Sequence, residues 1–392
     1  MRTIDQYGFS FHAATLVTLL ALAGALPAQA QDGSARKVLI GFAGPLSDGM
    51  VDSARNGAEL AVAEANLRPF RLTGGGAPIQ FELTAQDDKS DVNIAGFAAQ
   101  YFVRSKVAGV IGHWSTATAM AVADTYEQNA IPQLMFTASG APFTEKGYRT
   151  TFRVPASSER TAFYLAESAV NVLKAYRIAV IGNDSPFSRS LSASFLRELK
   201  GRSVKVVYQT TVSSKTSDFN APLKAVTDNQ ADLIFFSANA MQVEAFIQTA
   251  KRLQTTANLL LTAGAINQSL TDEARLLSVH TLEPDAALEQ CPGWKSFQQR
   301  YQAKFSRAPT SFSRYAYNAT TVLIEAIRQA DSLDGAKITA ALHGHRYNGL
   351  SGEIAFDRQG NAVNYFYTLY QTGKTGWRPL KEFSSGRPSV CK

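Results

Sequence analysis

Val107-Ala108-Gly109-Val110-Ile111-Gly112-His113-Trp114-Ser115-Thr116-Ala117-Thr118 reads as a short apolar strand that runs directly into a helix continuing to Asn129. Such a junction gathers free backbone N–H groups and a pair of hydroxyls just beyond the carboxyl edge of a sheet, where α/β folds take up ligands. These groups suit a carboxylate. The alternative local reading is that Ser115 or Thr116 only caps its own helix. A second loop of the same kind, Thr137-Ala138-Ser139-Gly140-Ala141-Pro142, follows the next strand and is expected beside the first.

The same alternation extends in both directions. Upstream, Val38 to Phe42 is a strand, Ser53 to Asn66 a helix, Gln80 to Ala85 a strand, and Asp91 caps a helix to Ser105; Ile131 to Phe136 closes the unit. Downstream, a second unit places helices over Ser158 to Ala175, Phe187 to Lys200, Asp218 to Asn229 and Met241 to Leu253. Its strands lie over Arg177 to Ile181, Lys205 to Val212, Asp232 to Phe236 and Asn258 to Thr262. Strands alternating with helices predict parallel sheets flanked by helices, here two Rossmann-like halves in series.

The C-terminal region is too thin for a third core. Trp294 to Phe305, Ser313 to Ala330 and Asp334 to His343 are helices, and Gly352 to Phe356 and Asn364 to Tyr370 are strands, so this region completes the earlier lobes. The chain then crosses near Arg153-Val154-Pro155, Leu282-Glu283-Pro284 and Gly360 to Val363. The expected organisation is a first lobe of residues 36–153 with 284–361, a second of 154–283 with 362–392, and a three-stranded hinge between them.

The first thirty residues stand apart. Ala13 to Leu26 is uncharged but shorter than a membrane span, and Pro27-Ala28-Gln29-Ala30 offers a small-residue cleavage site. Residues 1–30 therefore read as an export signal cleaved after Ala30. Of 392 residues 45% are hydrophobic and 18% charged, which excludes a disordered chain. The balance of 39 Lys and Arg against 32 Asp and Glu gives +7, but the basic residues are dispersed with no run longer than two, so no nucleic-acid partner is expected. Cys291 and Cys391 are too few for a disulfide scaffold. In an oxidising compartment they are candidates to pair, with two free thiols as the other reading; a loop of about 100 residues would contribute on the order of 4–5 kcal/mol by chain entropy.

Familiar catalytic and metal motifs are missing from the sequence. It has no H-E-x-x-H, no paired C-x-x-C, no G-x-S-x-G and no G-x-G-x-x-G after a strand. Gly373-Lys374-Thr375 reads as the turn of a strand pair, because Thr368 stands where a phosphate loop needs glycine. No metal or cofactor is expected, and His113, the histidine next to the first loop, is read as structural.

At these loops the sequence resembles a type I periplasmic solute-binding protein of the leucine/isoleucine/valine-binding branch of ABC transporter receptors. The resemblance runs through Ile40 to Ser47, Asn56 to Val62, Asp87-Asp88, Val110-Ile111-Gly112, Asp124 to Glu127, Ile131-Pro132, Gly147-Tyr148 and Phe152-Arg153, in order and spacing. It implies two lobes that close on a small-molecule ligand and deliver it to an inner-membrane ABC permease, as an exported, monomeric, non-enzymatic protein of the periplasm. A sensory protein presenting its ligand to a membrane receptor is the alternative, and an exported hydrolase a more remote one.

Carried over by position, the resemblance puts ligand carboxylate contacts on Ser115 and Thr116 and on Ala138, Ser139 and Gly140. Gly140 replaces the threonine usual there. Phe187 becomes the aromatic that closes over the ligand, followed by Ser188 in place of a glycine, and Asn239 replaces a tyrosine. Ala263 replaces the acid that pairs with the ligand ammonium. Burying an ammonium without a counter-charge costs several kcal/mol. The expected ligand is therefore a small carboxylate or amide lacking a primary ammonium, walled by Trp114 and Phe187, unless Asp48 or Asp184 substitutes for the lost acid.

Overall fold

The computed structural model describes residues 35–140, 142–238, 240–262, 265, 278–285, 287, 291–350, 352–373 and 376–385. In the first lobe the order is β1 (Arg36–Gly44), α1 (Gly49–Asn66), β2 (Ile79–Asp87), α2 (Val92–Arg104), β3 (Val110–Ile111), α3 (Thr116–Gln128), β4 (Gln133–Met135), α4 (Pro142–Glu145) and β5 (Thr151–Arg153). The five strands form one parallel sheet in the order β2-β1-β3-β4-β5. Its centre explains the apolar run of β1: Ile40 and Phe42 are covered completely, as in a strand packed on both faces. On α2, Ala95, Ala98, Ala99 and Phe102 recur at helical spacing and are all buried.

The second lobe continues with α5 (Ser158–Glu167), which passes into a π-helical turn at Ser168–Val172. Then come β6 (Arg177–Asn183), α6 (Pro186–Leu199), β7 (Lys205–Val212), α7 (Asn220–Asp228), β8 (Leu233–Ser237), α8 (Ala240–Arg252), β9 (Asn258–Leu261) and β10 (Val279–Pro284). The chain next forms α9 (Pro292–Phe305), α10 (Ser311–Ala330), α11 (Gly335–Gly344) and the small pair β11 (Tyr347–Asn348) and β12 (Glu353–Ile354). It ends with β13 (Phe366–Gly373) and β14 (Gly376–Ser384). The second sheet has the order β14-β13-β10-β9-β8-β6-β7, with β13 and β14 antiparallel at one edge. Two α/β lobes of Rossmann type result.

The later helices return to the first lobe. Tyr315, Leu323 and Ile327 of α10 and Ile338 and Leu342 of α11 share a core with Ile40, Phe42 and Phe81. The chain thus passes between the sheets at Val154, after Pro284 and before Phe366. At the first and third passages Arg153 bridges Asn361. At the second, the Pro284 carbonyl accepts hydrogen bonds from Arg314 (3.2 Å) and Tyr315 (3.0 Å) of α10.

Several elements differ from expectation. α1 starts at Gly49, four residues before Ser53, because Asp48 caps it through the Met50 and Val51 N–H groups. β3 shrinks to Val110–Ile111. The stretch Gly352 to Phe356 does not join a main sheet; Glu353–Ile354 pairs with Tyr347–Asn348 instead. β5, β10 and β14 add pairings beyond the expected strands; β14 pairs antiparallel with β13, Gly373 opposite Gly376, while Lys374 and Thr375 of the expected turn lie outside the described residues.

Candidate functional site

The two loops singled out in the sequence meet at the carboxyl end of the first sheet. Ser115 is the N-cap of α3: its Oγ accepts the Thr118 N–H at 3.1 Å and lies 2.8 Å from Thr118 Oγ1. Thr118 Oγ1 can donate to the Ser115 carbonyl (3.2 Å), which leaves the Ser115 hydroxyl proton able to turn toward a ligand. The cap satisfies one of the first-turn donors, and the Thr116 and Ala117 N–H groups have no carbonyl within the helix to bond. Such an end attracts an anion.

The second loop is tied to the first by two bonds. Thr137 Oγ1 donates to the Trp114 carbonyl (2.5 Å), and Gly140 N–H donates to Thr116 Oγ1 (3.3 Å). The glycine is required by this approach, since a Cβ at position 140 would stand 2.5 Å from Thr116 Cγ2. Gly140 therefore gives up a side-chain hydroxyl and gains close contact between the loops. Ser139 does not supply that hydroxyl freely: it is buried with its Oγ 3.3 Å from Ser158 Oγ, and its carbonyl accepts from the Ser158 N–H (2.7 Å), the Ser158 hydroxyl (2.8 Å) and Arg153 Nη1. Ala138 is buried beside it.

Buried polar groups stand behind both loops. His113 is fully buried, with Nδ1 2.7 Å from Asp88 Oδ2 and Nε2 3.0 Å from the Tyr126 hydroxyl. Burial, with the Asp88 charge added, pushes the Tyr126 phenol well above its usual range. Arg153, also fully buried, reaches from the Ser139 carbonyl to Thr144 Oγ1, and burial pulls its pKa down to about 10, so it stays charged at neutral pH. Trp114 is half-buried against Phe136 (centroids 5.8 Å) and Phe312 (4.8 Å).

α6 of the second lobe lies close to α3 of the first. Phe187 sits in the first turn of α6, half-buried on the second-lobe core. Ser188 uses its hydroxyl structurally, accepting from the Asn183 N–H (2.8 Å) and donating to the Ser237 carbonyl (2.6 Å). Asn183 in turn donates to Gln242 Oε1 (2.7 Å), and Gln242 donates to the Ser213 (2.9 Å) and Thr216 (3.1 Å) carbonyls. An uncharged network thus joins the loops after β6, β7 and β8 to α8. Asn239, Ala263 and Cys391 lie outside the described residues; Cys291, buried just ahead of α9, is disulfide-bonded.

Both candidate substitute acids make backbone hydrogen bonds of their own. Asp48 is taken up by the α1 cap. Asp184 is exposed and accepts the Ser214 N–H at 2.9 Å, and its hydrogen bonding to Ser214 holds its carboxyl below the usual range. Sequence reasoning passes over Phe312, Arg153 and Glu283. The last is a buried acid in β10 that accepts from Thr281 Oγ1 (2.9 Å); in the sequence, Leu282-Glu283-Pro284 signals only a crossing. Among the described residues no group of three or more His, Cys, Asp or Glu could hold a metal, and no helix is long and apolar enough to cross a membrane.

A family model described as "Periplasmic binding protein" matches residues 38–376. The leucine-, isoleucine-, valine-, threonine-, and alanine-binding protein of Pseudomonas aeruginosa is 24% identical over 349 residues, 88% of this chain and 92% of that protein. Among solved structures, a leucine-binding protein of Thermotoga maritima superposes with a TM-score of 0.77 at 23% identity, covering 88% of this chain and 98% of that one. A solute-binding protein of an ABC transporter from Rhodopseudomonas palustris, in complex with p-hydroxybenzoic acid, gives 0.78 at 20% identity, covering 89% and 98%.

Proposed function

The chain belongs to the periplasmic binding protein family, and we propose that it captures a small solute, amino-acid-like or a simple carboxylate or amide, between its lobes and delivers it to an ABC permease of the inner membrane. The observation that carries this reading is the pair of loops at 114–116 and 137–140, cross-bonded at the Trp114 carbonyl and Thr116 Oγ1 around the N-terminus of α3 and facing α6. In it the ligand carboxylate takes the Thr116 and Ala117 N–H groups and the Ser115 hydroxyl, with Trp114 and Phe187 as apolar walls. Ala138, Ser139 and Gly140 act through the backbone that shapes the second loop.

The moving bodies are residues 36–153 with 284–361 and 154–283 with 362–392. Affinity comes from ligand contacts made only when they close, so binding shifts an open/closed population. No residue is assigned a chemical step. Export follows cleavage near Ala30, and the Cys291–Cys391 pair ties the tail to α9.

A thermal-shift screen of the mature protein against amino acids, keto acids, aromatic acids and amides tests the reading. A ligand at a hundred times its Kd adds about 2.7 kcal/mol of stability. A rise in Tm with one chemical class, lost in Thr116→Val, supports the reading; no rise with any class overturns it.

A further inference from the structure

One peptide group, between Ser139 and Gly140, has positive charge behind it and the 114–116 loop in front. Its carbonyl accepts from the Arg153 guanidinium, the Ser158 N–H (2.7 Å) and the Ser158 hydroxyl (2.8 Å). Ser158 is the first residue of α5, so the positive end of that helix dipole adds to the guanidinium. The N–H of the same peptide donates to Thr116 Oγ1 at 3.3 Å. Hydrogen bonds in series polarise one another, so positive charge at the carbonyl end strengthens the N–H as a donor. With the Thr116 oxygen engaged as an acceptor, its proton is the part left to give.

Arg153 is held rigidly. Its backbone is bonded on both sides to the third crossing, the N–H to the Gly360 carbonyl (2.8 Å) and the carbonyl to the Ala362 N–H (3.1 Å). The second arm of the guanidinium goes to Thr144 Oγ1, which donates to Asn361 Oδ1 at 2.9 Å. Its charge nevertheless has no ion-pair partner. The other fully buried arginine, Arg314, lies 3.3 Å from an Asp285 oxygen, whereas among the described residues Arg153 pairs with no Asp or Glu and its Nε has no hydrogen-bond partner. Glu159, Glu145 and Asp357 act on it only from beyond ion-pair distance. A buried charge without a close counter-charge is costly, and an anion that settles nearby offsets that cost.

We infer that Arg153 is a positioning residue that makes this cleft select anionic solutes: acting through the Ser139–Gly140 peptide, it sets the Thr116 hydroxyl as a donor to the solute carboxylate. The carboxylate in turn supplies the negative charge that Arg153 lacks. This inference rests on the solute-binding reading above and adds to it a residue that never touches the solute.

Calorimetric titration of the mature protein and its Arg153→Gln variant with acid and amide pairs tests it: leucine and leucinamide, the keto acid of leucine and its amide, p-hydroxybenzoate and p-hydroxybenzamide. The readout is the ratio of amide Kd to acid Kd within a pair, which a general loss of structure does not move. Arg153→Gln keeps a donor for the Ser139 carbonyl but removes the charge, and it should shrink that ratio about tenfold, as for a hydrogen bond that loses its charged member. Arg153→Lys, which keeps the charge, should restore most of the ratio. In the native protein the ratio should also persist in about 0.5 M salt, because a buried charge is screened far less than the dispersed surface charges; this measurement decides the matter if Arg153→Gln fails to fold. Equal weakening of acid and amide in Arg153→Gln means a structural role and overturns the inference, as does a ratio that collapses in salt. A native protein that binds an amide as tightly as its acid, or neutral solutes alone, overturns it while leaving the solute-binding reading intact. Binding of no class in the wider screen removes both.

Discussion

His113 and His280 are buried alike, at 0% and 2% exposure, the first just past β3 of the parallel first sheet and the second in β10 of the mixed second sheet, yet they are held in opposite ways. His113 in the first lobe is clamped between Asp88 and Tyr126. His280, in β10 of the second, has no hydrogen-bond partner for its Nδ1 among the described residues, and burial pulls its pKa down to about 4. The first lobe uses buried polar groups to fix the backbone on either side of the candidate loops at 114–116 and 137–140. The second relies on apolar packing and the uncharged Asn183–Gln242 bridge. A buried polar group that is fully paired specifies one geometry, whereas an orphaned one only weakens the fold.

Breaking the clamp should have the largest effect. Asp88→Ala leaves His113 without its carboxylate and also removes the acceptor of the Ser90 N–H (2.9 Å). The expected loss is about 3 kcal/mol in urea unfolding at pH 7, the scale for buried groups left without a hydrogen-bond partner. His280→Leu should cost less at the same pH: the ring Nδ1 loses no hydrogen bond, and what goes is the ring's contact with the Leu259 and Ser278 backbone. Equal losses in the two variants would erase the contrast.

Acid should expose the orphan. The unfolded His280 takes up a proton near pH 6.5, and the folded one only near pH 4. Its folded pKa is depressed, so the neutral form is the one the fold tolerates. Above pH 6.5 it contributes no pH dependence, and between 6.5 and 4 it drains stability as the unfolded state binds the proton first. The full shift amounts to about 3 kcal/mol. Urea midpoints of the native protein and His280→Leu measured across that window should converge at pH 7 and separate by pH 4.5, with the variant more stable. Parallel curves would show that His280 carries no such load.

The same two histidines show what can be read from the chain and what cannot. β1 and β8 are legible because a strand packed on both faces is an unbroken apolar run. The loops at 114–116 and 137–140 are legible because hydroxyls and glycines cluster where a strand ends. β10 is not: His280 and Glu283 interrupt its apolar pattern, and their burial depends on β13 and α10, which come much later in the sequence. Phe312 escapes for a similar reason, since the start of α10 contacts Trp114 only once the chain has returned to the first lobe. In sequence Gly140 reads as a lost donor, and only the position of Thr116 Cγ2 explains why no side chain fits.

The smallest effect sharpens the comparison at the cleft itself. The facing helices α3 and α6 are both capped by serine, Ser115 accepting from the Thr118 N–H at 3.1 Å and Ser185 from the Ser188 N–H at 3.2 Å. Replacing either with alanine removes one cap, so Ser115→Ala and Ser185→Ala should each cost about 1 kcal/mol of stability. Their effects on binding should differ. Ser185 commits its proton to Asn183 Oδ1 at 2.6 Å, whereas the Ser115 proton can leave Thr118 for a ligand carboxylate. Ser115→Ala should therefore also weaken the ligand found by thermal shift about tenfold, the scale of one hydrogen bond to a charged group, while Ser185→Ala leaves its Kd within about twofold. If both variants lose affinity equally, the two lobes share the carboxylate, and the α3 loop is not its main seat.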